Sequence, residues 1–106
     1  MGEAFRDIAD VAGIDRVIHE PARLIVVAIL YVVDKADFVY LVRETGLTRG
    51  NLSAHLSRLE EAGYVEIAKS FRGKVPQTVC ALTDKGRIAF RDYRAQLKRA
   101  VESMPD

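Results

Sequence analysis

Between Thr48 and Arg58 the sequence TRGNLSAHLSR gathers side chains suited to reading a hydrogen-bonding surface rather than to breaking a bond. Arg49 carries a rigid fork of donors that fits a guanine edge or a phosphate, and Asn51 carries the paired donor and acceptor that fit adenine. Gly50, Ser53, Ala54 and Ser57 add little bulk around them, with Thr48 at the start and Arg58 at the end. At helical spacing, Leu52, Leu56 and Leu59 form an apolar stripe and leave these small or polar residues on the opposite side. A helix face that only needed wetting would carry longer charged side chains, so this slim face is suited to close approach. A second cluster lies in KSFRGK, where Lys69, Arg72 and Lys74 meet no acidic residue between Ser70 and Cys80. Cations placed this way suit phosphate.

Catalytic patterns are missing from the chain. No Ser-His-Asp or Cys-His set can be placed, and there is no phosphate-cradling glycine loop or metal-spaced His pair, so neither enzyme activity nor a cofactor or metal is expected. His55 borders the leucine stripe and has two readings, packing against the preceding helix or contacting a phosphate. His19, just before Pro21, reads as a helix-start residue. Cys80 alternates with Leu82 and reads as a buried small hydrophobe, the other reading being an exposed redox thiolate near cations.

These clusters need elements to hold them. Residues 3–12 carry Phe5, Ile8, Ala9 and Ala12 at helical spacing up to Gly13, which suggests a short amphipathic arm. Pro21 suits the first turn of a helix running through Leu24, Ile25, Ala28, Ile29 and Val32 to about Val33. Asp34 and Asp37 mark a turn and a cap for a short helix with Phe38, Leu41 and Val42, stopped by Gly46. Thr48 caps the next helix, which Gly63 closes. From Tyr64 the period becomes two: Val65 and Ile67 share one side of a strand, and Thr78, Cys80 and Leu82 share one side of a second, with a basic tip around Gly73. Thr83 and Asp84 then cap a last helix whose apolar positions Phe90, Tyr93, Leu97, Ala100 and Met104 step by three and four.

The expected fold is mainly α with a small β-hairpin, an α+β winged helix-turn-helix. A single domain is expected over residues 1–106, with an arm at 1–18, a core at 19–82 and a terminal helix at 83–106. The arm and the terminal helix are expected to serve dimerisation, through Phe5, Ile8, Phe90, Tyr93, Leu97, Ala100, Val101 and Met104, because a small domain should not cover so long a stripe by itself. Two readings stay open here. The last helix could instead fold back on its own domain, and Phe90 with Tyr93 could line an effector pocket or simply pack.

The 106 residues, 49% hydrophobic and 29% charged, fit a folded domain too small for a multi-lobed cleft. No uncharged stretch is long enough for a bilayer, and Glu3, Arg6, Asp7 and Asp10 interrupt any signal sequence, so a cytoplasmic protein with no membrane partner is expected. Net charge is +1, unevenly spread: basic and acidic residues number 5 and 8 over 1–47, 5 and 3 over 48–82, and 6 and 4 over 83–106. That leans toward a polyanionic partner.

The runs HEPARLIVVAIL, GLTRGNLSAHLSRLEEAGYVEI and LTDKG resemble the winged-helix regulators related to the MarR and ArsR families, in a compact stand-alone branch, over about residues 18–90. The resemblance implies a homodimeric, DNA-binding transcription regulator, expected to be a repressor at a palindromic site. It implies DNA contacts at Thr48, Arg49, Gly50, Asn51, Ser53, Ala54, Ser57 and Arg58 in the major groove. Lys69, Arg72 and Lys74 would lie on the backbone or in the minor groove. A small-molecule effector is left open, whereas the Cys-x-Cys and His/Asp clusters of metal-sensing relatives are missing. Two rivals remain, a winged helix used as a protein-interaction module and an architectural DNA binder governed by salt alone.

Overall fold

The computed structural model describes residues 5–106. Of the arm expected over 3–12, Glu3 and Ala4 lie outside the described residues. The rest forms helix α1 (Arg6–Ala9) and a 3-10 turn (Asp10–Gly13). Next comes a turn in which the Asp15 carboxylate accepts the N–H groups of Val17 and Ile18 at 2.9 and 3.1 Å, which buries Ile14 and Ile18.

Helix α2 (Pro21–Val33) starts with proline in its first turn and with Glu20 capping the Arg23 N–H at 2.8 Å. Helix α3 (Phe38–Thr45) is capped by Asp37, which accepts from the Tyr40 N–H at 2.7 Å, and ends at Gly46 in the left-handed region. Helix α4 (Arg49–Glu61) begins at Thr48, whose hydroxyl accepts from the Asn51 N–H at 3.1 Å, and is closed by Gly63 at φ +80°. Leu52, Leu56 and Leu59 are buried in one core with Val26, Val27 and Leu30 of α2. The expected caps and stops of these three helices are therefore in place.

A short strand β1 (Lys35–Asp37) joins β2 (Val65–Arg72) and β3 (Val75–Leu82) in an antiparallel sheet of order β1-β3-β2. No pattern in the sequence announced β1, since three residues are too few to show a period of two. Cys80 pairs with Ala36 on one side and Ile67 on the other, in the buried middle of the sheet. Strand pairing runs out to Arg72 and Val75, and Gly73 at φ +66° makes the turn. Most of KSFRGK is therefore strand rather than loop. The three cations expected at one tip are thus spread out: Lys69 alternates onto the inward face with Val65, Ile67 and Phe71, Arg72 points the other way at the end of β2, and Lys74 lies in the turn.

Helix α5 (Asp84–Glu102) begins at a joint made by Thr83. The Thr83 hydroxyl donates to the Gly63 carbonyl at 2.5 Å and accepts the Gly86 N–H at 3.0 Å, while the Thr83 N–H reaches the Tyr64 carbonyl at 3.0 Å. The end of α4, the root of the wing and the start of α5 are fastened at this one point.

The expectation that the α5 stripe needs a partner to leave water does not hold for its middle. Phe90, Tyr93 and Ala100 are buried within the single chain, and Leu97 packs partly against the core. The cause is the arm, which lies along α5 with Gln96 donating to the Asp10 carbonyl at 2.5 Å and Arg99 facing Asp7 at 3.9 Å. Tyr31 of α2 adds a tilted ring contact on Phe90 at 5.1 Å. Val101, Met104 and Phe5 stay exposed and Ile8 is half-buried.

Gly86 lies against the chain so closely that a Cβ there would stand 2.2 Å from the Tyr64 carbonyl oxygen, whereas a Cβ on Gly50 would meet nothing within 4 Å. The same substitution should thus have opposite effects at the two sites. Gly86→Ala should lower unfolding free energy by about 1–3 kcal/mol or more. Gly50→Ala should raise it by up to about 1 kcal/mol, both read from urea unfolding curves.

Candidate nucleic-acid interface

Burial of the leucine stripe decides which way α4 faces. With Leu52, Leu56 and Leu59 inside, every residue singled out on the other side, Thr48, Arg49, Gly50, Asn51, Ser53, Ala54, Ser57 and Arg58, is exposed. Lys69, Arg72 and Lys74 on the wing are exposed as well. Among the described residues no carboxylate forms an ion pair with Arg49, Arg58, Lys69, Arg72 or Lys74.

Between α3, the start of α4 and the wing lies a concavity of about 780 Å³. Its lining includes the cations Arg43, Arg49, Lys69 and Arg72 against a single carboxylate, Asp37, which is already occupied in capping α3. Its field is positive, as a polyanion requires. The Arg49 guanidinium stands over the Phe38 ring at 5.8 Å and that of Arg43 over Tyr40 at the same distance. These ring faces limit where the two cations can swing. The fold thus brings α4 and the wing together around one surface.

Arg43, Phe38 and Phe71 belong to this surface and sequence reasoning passed them over. Arg43 and Phe38 sit on a short helix whose pattern shows only which side is apolar, so their direction comes from packing. For Phe71 a signal was available: an aromatic residue among the cations of a hairpin.

His55 turns away from this surface. Its Nδ1 is 3.4 Å from the Arg23 guanidinium and 3.7 Å from the Glu20 carboxylate, at the start of α2. Burial alone would push the Glu20 carboxyl up, but the backbone N–H groups of Arg23 and Ala22 and the charges of His55 and Arg23 hold it below the usual range. Arg23 also donates to the Val17 carbonyl at 2.5 Å. His19 shares a hydrogen bond of 2.8 Å with the Tyr93 hydroxyl, whose own pKa burial raises. Tyr64 donates to Asp15; burial first, then that hydrogen bond and charge, push its hydroxyl up to about 12. Among the described residues no three His, Cys, Asp or Glu side chains gather as a metal site would require, and no helix is long and apolar enough to cross a membrane.

A model of the winged helix DNA-binding domain matches residues 22–101. The chain belongs to that family. An uncharacterised protein of Methanocaldococcus jannaschii is 40% identical over 79 residues, spanning 74% of this chain and 85% of the relative. The solved structure of a transcriptional regulator homologue from Pyrococcus horikoshii OT3 superposes with a TM-score of 0.81 at 28% identity, over 95% of this chain and 96% of the other. The fold is also that of BpsR from Bordetella bronchiseptica, described with 6-hydroxynicotinic acid as the regulator of its DNA binding. That likeness has a TM-score of 0.70 at 17% identity, over 94% and 76% of the two chains. This winged-helix domain is related to MarR/ArsR-type transcription regulators, which are DNA-binding proteins and not enzymes.

Cys80 of the winged-helix domain is fully buried, and burial first, with the charges of Glu60 and Asp37, pushes its thiol up to about 11. The thiol stays protonated and shielded, as its reading as a small hydrophobe requires. The native protein should therefore leave an aromatic disulfide reagent unreacted near about pH 8, and should release one equivalent of thiol only on denaturation. Rapid reaction of the native protein would reinstate the redox reading.

Proposed function

We propose that this winged-helix domain is a sequence-specific repressor that binds a palindromic DNA site as a homodimer. In this reading α4 enters the major groove, and Arg49 and Asn51 reach base edges. Gly50, Ser53, Ala54 and Ser57 permit the approach, and Thr48 and Arg58 lie against the backbone. Lys69, Arg72 and Lys74 of the wing meet the neighbouring phosphates or the minor groove. The observation that carries the reading is the exposed, unpaired α4 face beside a concavity whose cations come from three separate elements. A small-molecule effector enters the reading through likeness of fold to BpsR, and to NadR, whose structure is a complex with 4-hydroxyphenylacetate.

Dimerisation is supported by what the single chain leaves uncovered. A groove of about 440 Å³ runs along α5 between Phe90, Tyr93, Leu97 and Val101, edged by Arg94, Lys98 and Glu102. Beyond it Met104 and, on the arm, Phe5 remain exposed, with Ile8 half-buried and Ala100 beneath. The chain is also drawn out, with a radius of gyration of 16.1 Å, where a compact domain of this length has about 13 Å. A two-fold pairing along α5 would set two copies of α4 about 34 Å apart, one turn of duplex, which is why the site is expected to be a palindrome.

Two experiments test the reading. Selection from a random duplex library should return a palindrome, and Arg49→Ala should weaken binding to it by about 1–3 kcal/mol while barely changing affinity for random duplex. Equal loss on both would remove Arg49 from base reading and favour an architectural binder. Val101→Asp, on an exposed rim of the groove, should sediment as a folded monomer that binds the palindrome weakly. An unchanged dimer would place the interface elsewhere.

A further inference from the structure

The inward face of the wing continues beyond anything it has to cover. Val65 and Ile67 face the sheet's buried side, and the next two residues on that face are Lys69 and Phe71, opposite Thr78 and Pro76. Phe71 is 70% exposed, and among the described residues no ring or cation stacks on it. A cross-strand contact with Pro76 is enough to favour an aromatic residue in a hairpin, but it leaves most of the ring in water.

The surroundings select what the ring meets. Lys69 precedes it, Arg72 and Lys74 follow it, and Arg43 and Arg49 line the same concavity. Cations set around an exposed ring, with Val39 and Val75 also exposed in the same concavity, suit a partner that is anionic at its rim and flat and apolar within. The minor groove of duplex DNA is such a surface, with phosphates on both edges and stacked bases between. The strand also carries the ring out from the core, since four residues at about 3.3 Å each set Phe71 roughly 13 Å beyond Ile67.

The geometry points to Phe71 as an apolar wedge that the wing presses into a base step of that minor groove, with Lys69 and Arg72 on its phosphate edges. This rests on the DNA-binding reading above and adds a source of specificity to it. A wedge parts two stacked base pairs, and pyrimidine–purine steps part most easily. The protein would therefore favour such a step in each half-site at a position where no side chain hydrogen-bonds a base.

The test uses the full chain and the selected palindrome, with a fluorescent adenine analogue, dim when stacked, placed at successive flanking positions. Wild-type protein should brighten one step per half-site. Phe71→Ala should abolish the brightening and lose about tenfold in affinity, and the preference for a pyrimidine–purine step should go with it. Its salt dependence, its preference under α4 and its melting temperature should match wild type, because no charge and no buried side chain is lost. Phe71→Leu should keep most of the signal. A wild type that binds the palindrome and brightens no step would overturn the wedge and leave the DNA reading intact. So would a Phe71→Ala variant with unchanged affinity and step preference. A wild type that binds no duplex would overturn both.

Discussion

Burial of Leu52, Leu56 and Leu59 beside Val26, Val27 and Leu30 is the constraint on which the rest of the structure depends. Three side chains on one stripe fix the rotation of α4 about its axis, because any other rotation would expose leucine and bury Arg49 or Asn51 without partners. The capping bond from Thr48 fixes where the helix starts, and so which residues occupy its exposed first turn. Presentation of Arg49, Asn51, Ser53 and Ser57 is thus a consequence of core formation. Nothing at the surface itself has to hold that face outward.

A second joint converts this orientation into a two-part surface. Gly63 closes α4, Tyr64 begins the turn into β2, and Thr83 ties both to the start of α5 through three hydrogen bonds. Gly86 is required there because the Tyr64 carbonyl occupies the space of a side chain. The direction in which the wing leaves the core is set within these few residues. The strand β1, pairing with β3 on the side opposite β2, stiffens the root of the wing. The LTDKG run is legible in these terms, with threonine as cap and clasp and glycine at a point of near contact.

Positive charge at the surface is distributed differently from the sequence pattern. A count of cations suggests one basic tip, yet strand pairing spreads Lys69 and Arg72 along the wing where both border the concavity, and packing of α3 adds Arg43 from the far side. The resulting field comes from a concave surface with aromatic floors under two of its arginines. Such placement limits side-chain freedom before any partner arrives, which lowers the ordering cost of binding.

The sequence by itself determined the helices, their caps and stops, the outward face of α4, the hairpin and the burial of Cys80, because each follows from a local period or from one residue's backbone preference. It also carried the family through runs long enough to be specific. Tertiary structure alone decided the rest. Strand β1 is too short to have a period and exists only because β3 has an edge for Ala36 to join. His55 could not be assigned from its place beside the leucines, since Glu20 and Arg23 reach it only once α2 and α4 have packed. The α5 stripe looked unpartnered because helical spacing says that a face is apolar and not what covers it. Coverage by an arm more than 80 positions away, as in the Gln96 to Asp10 bond, is a long-range contact that local periodicity cannot encode.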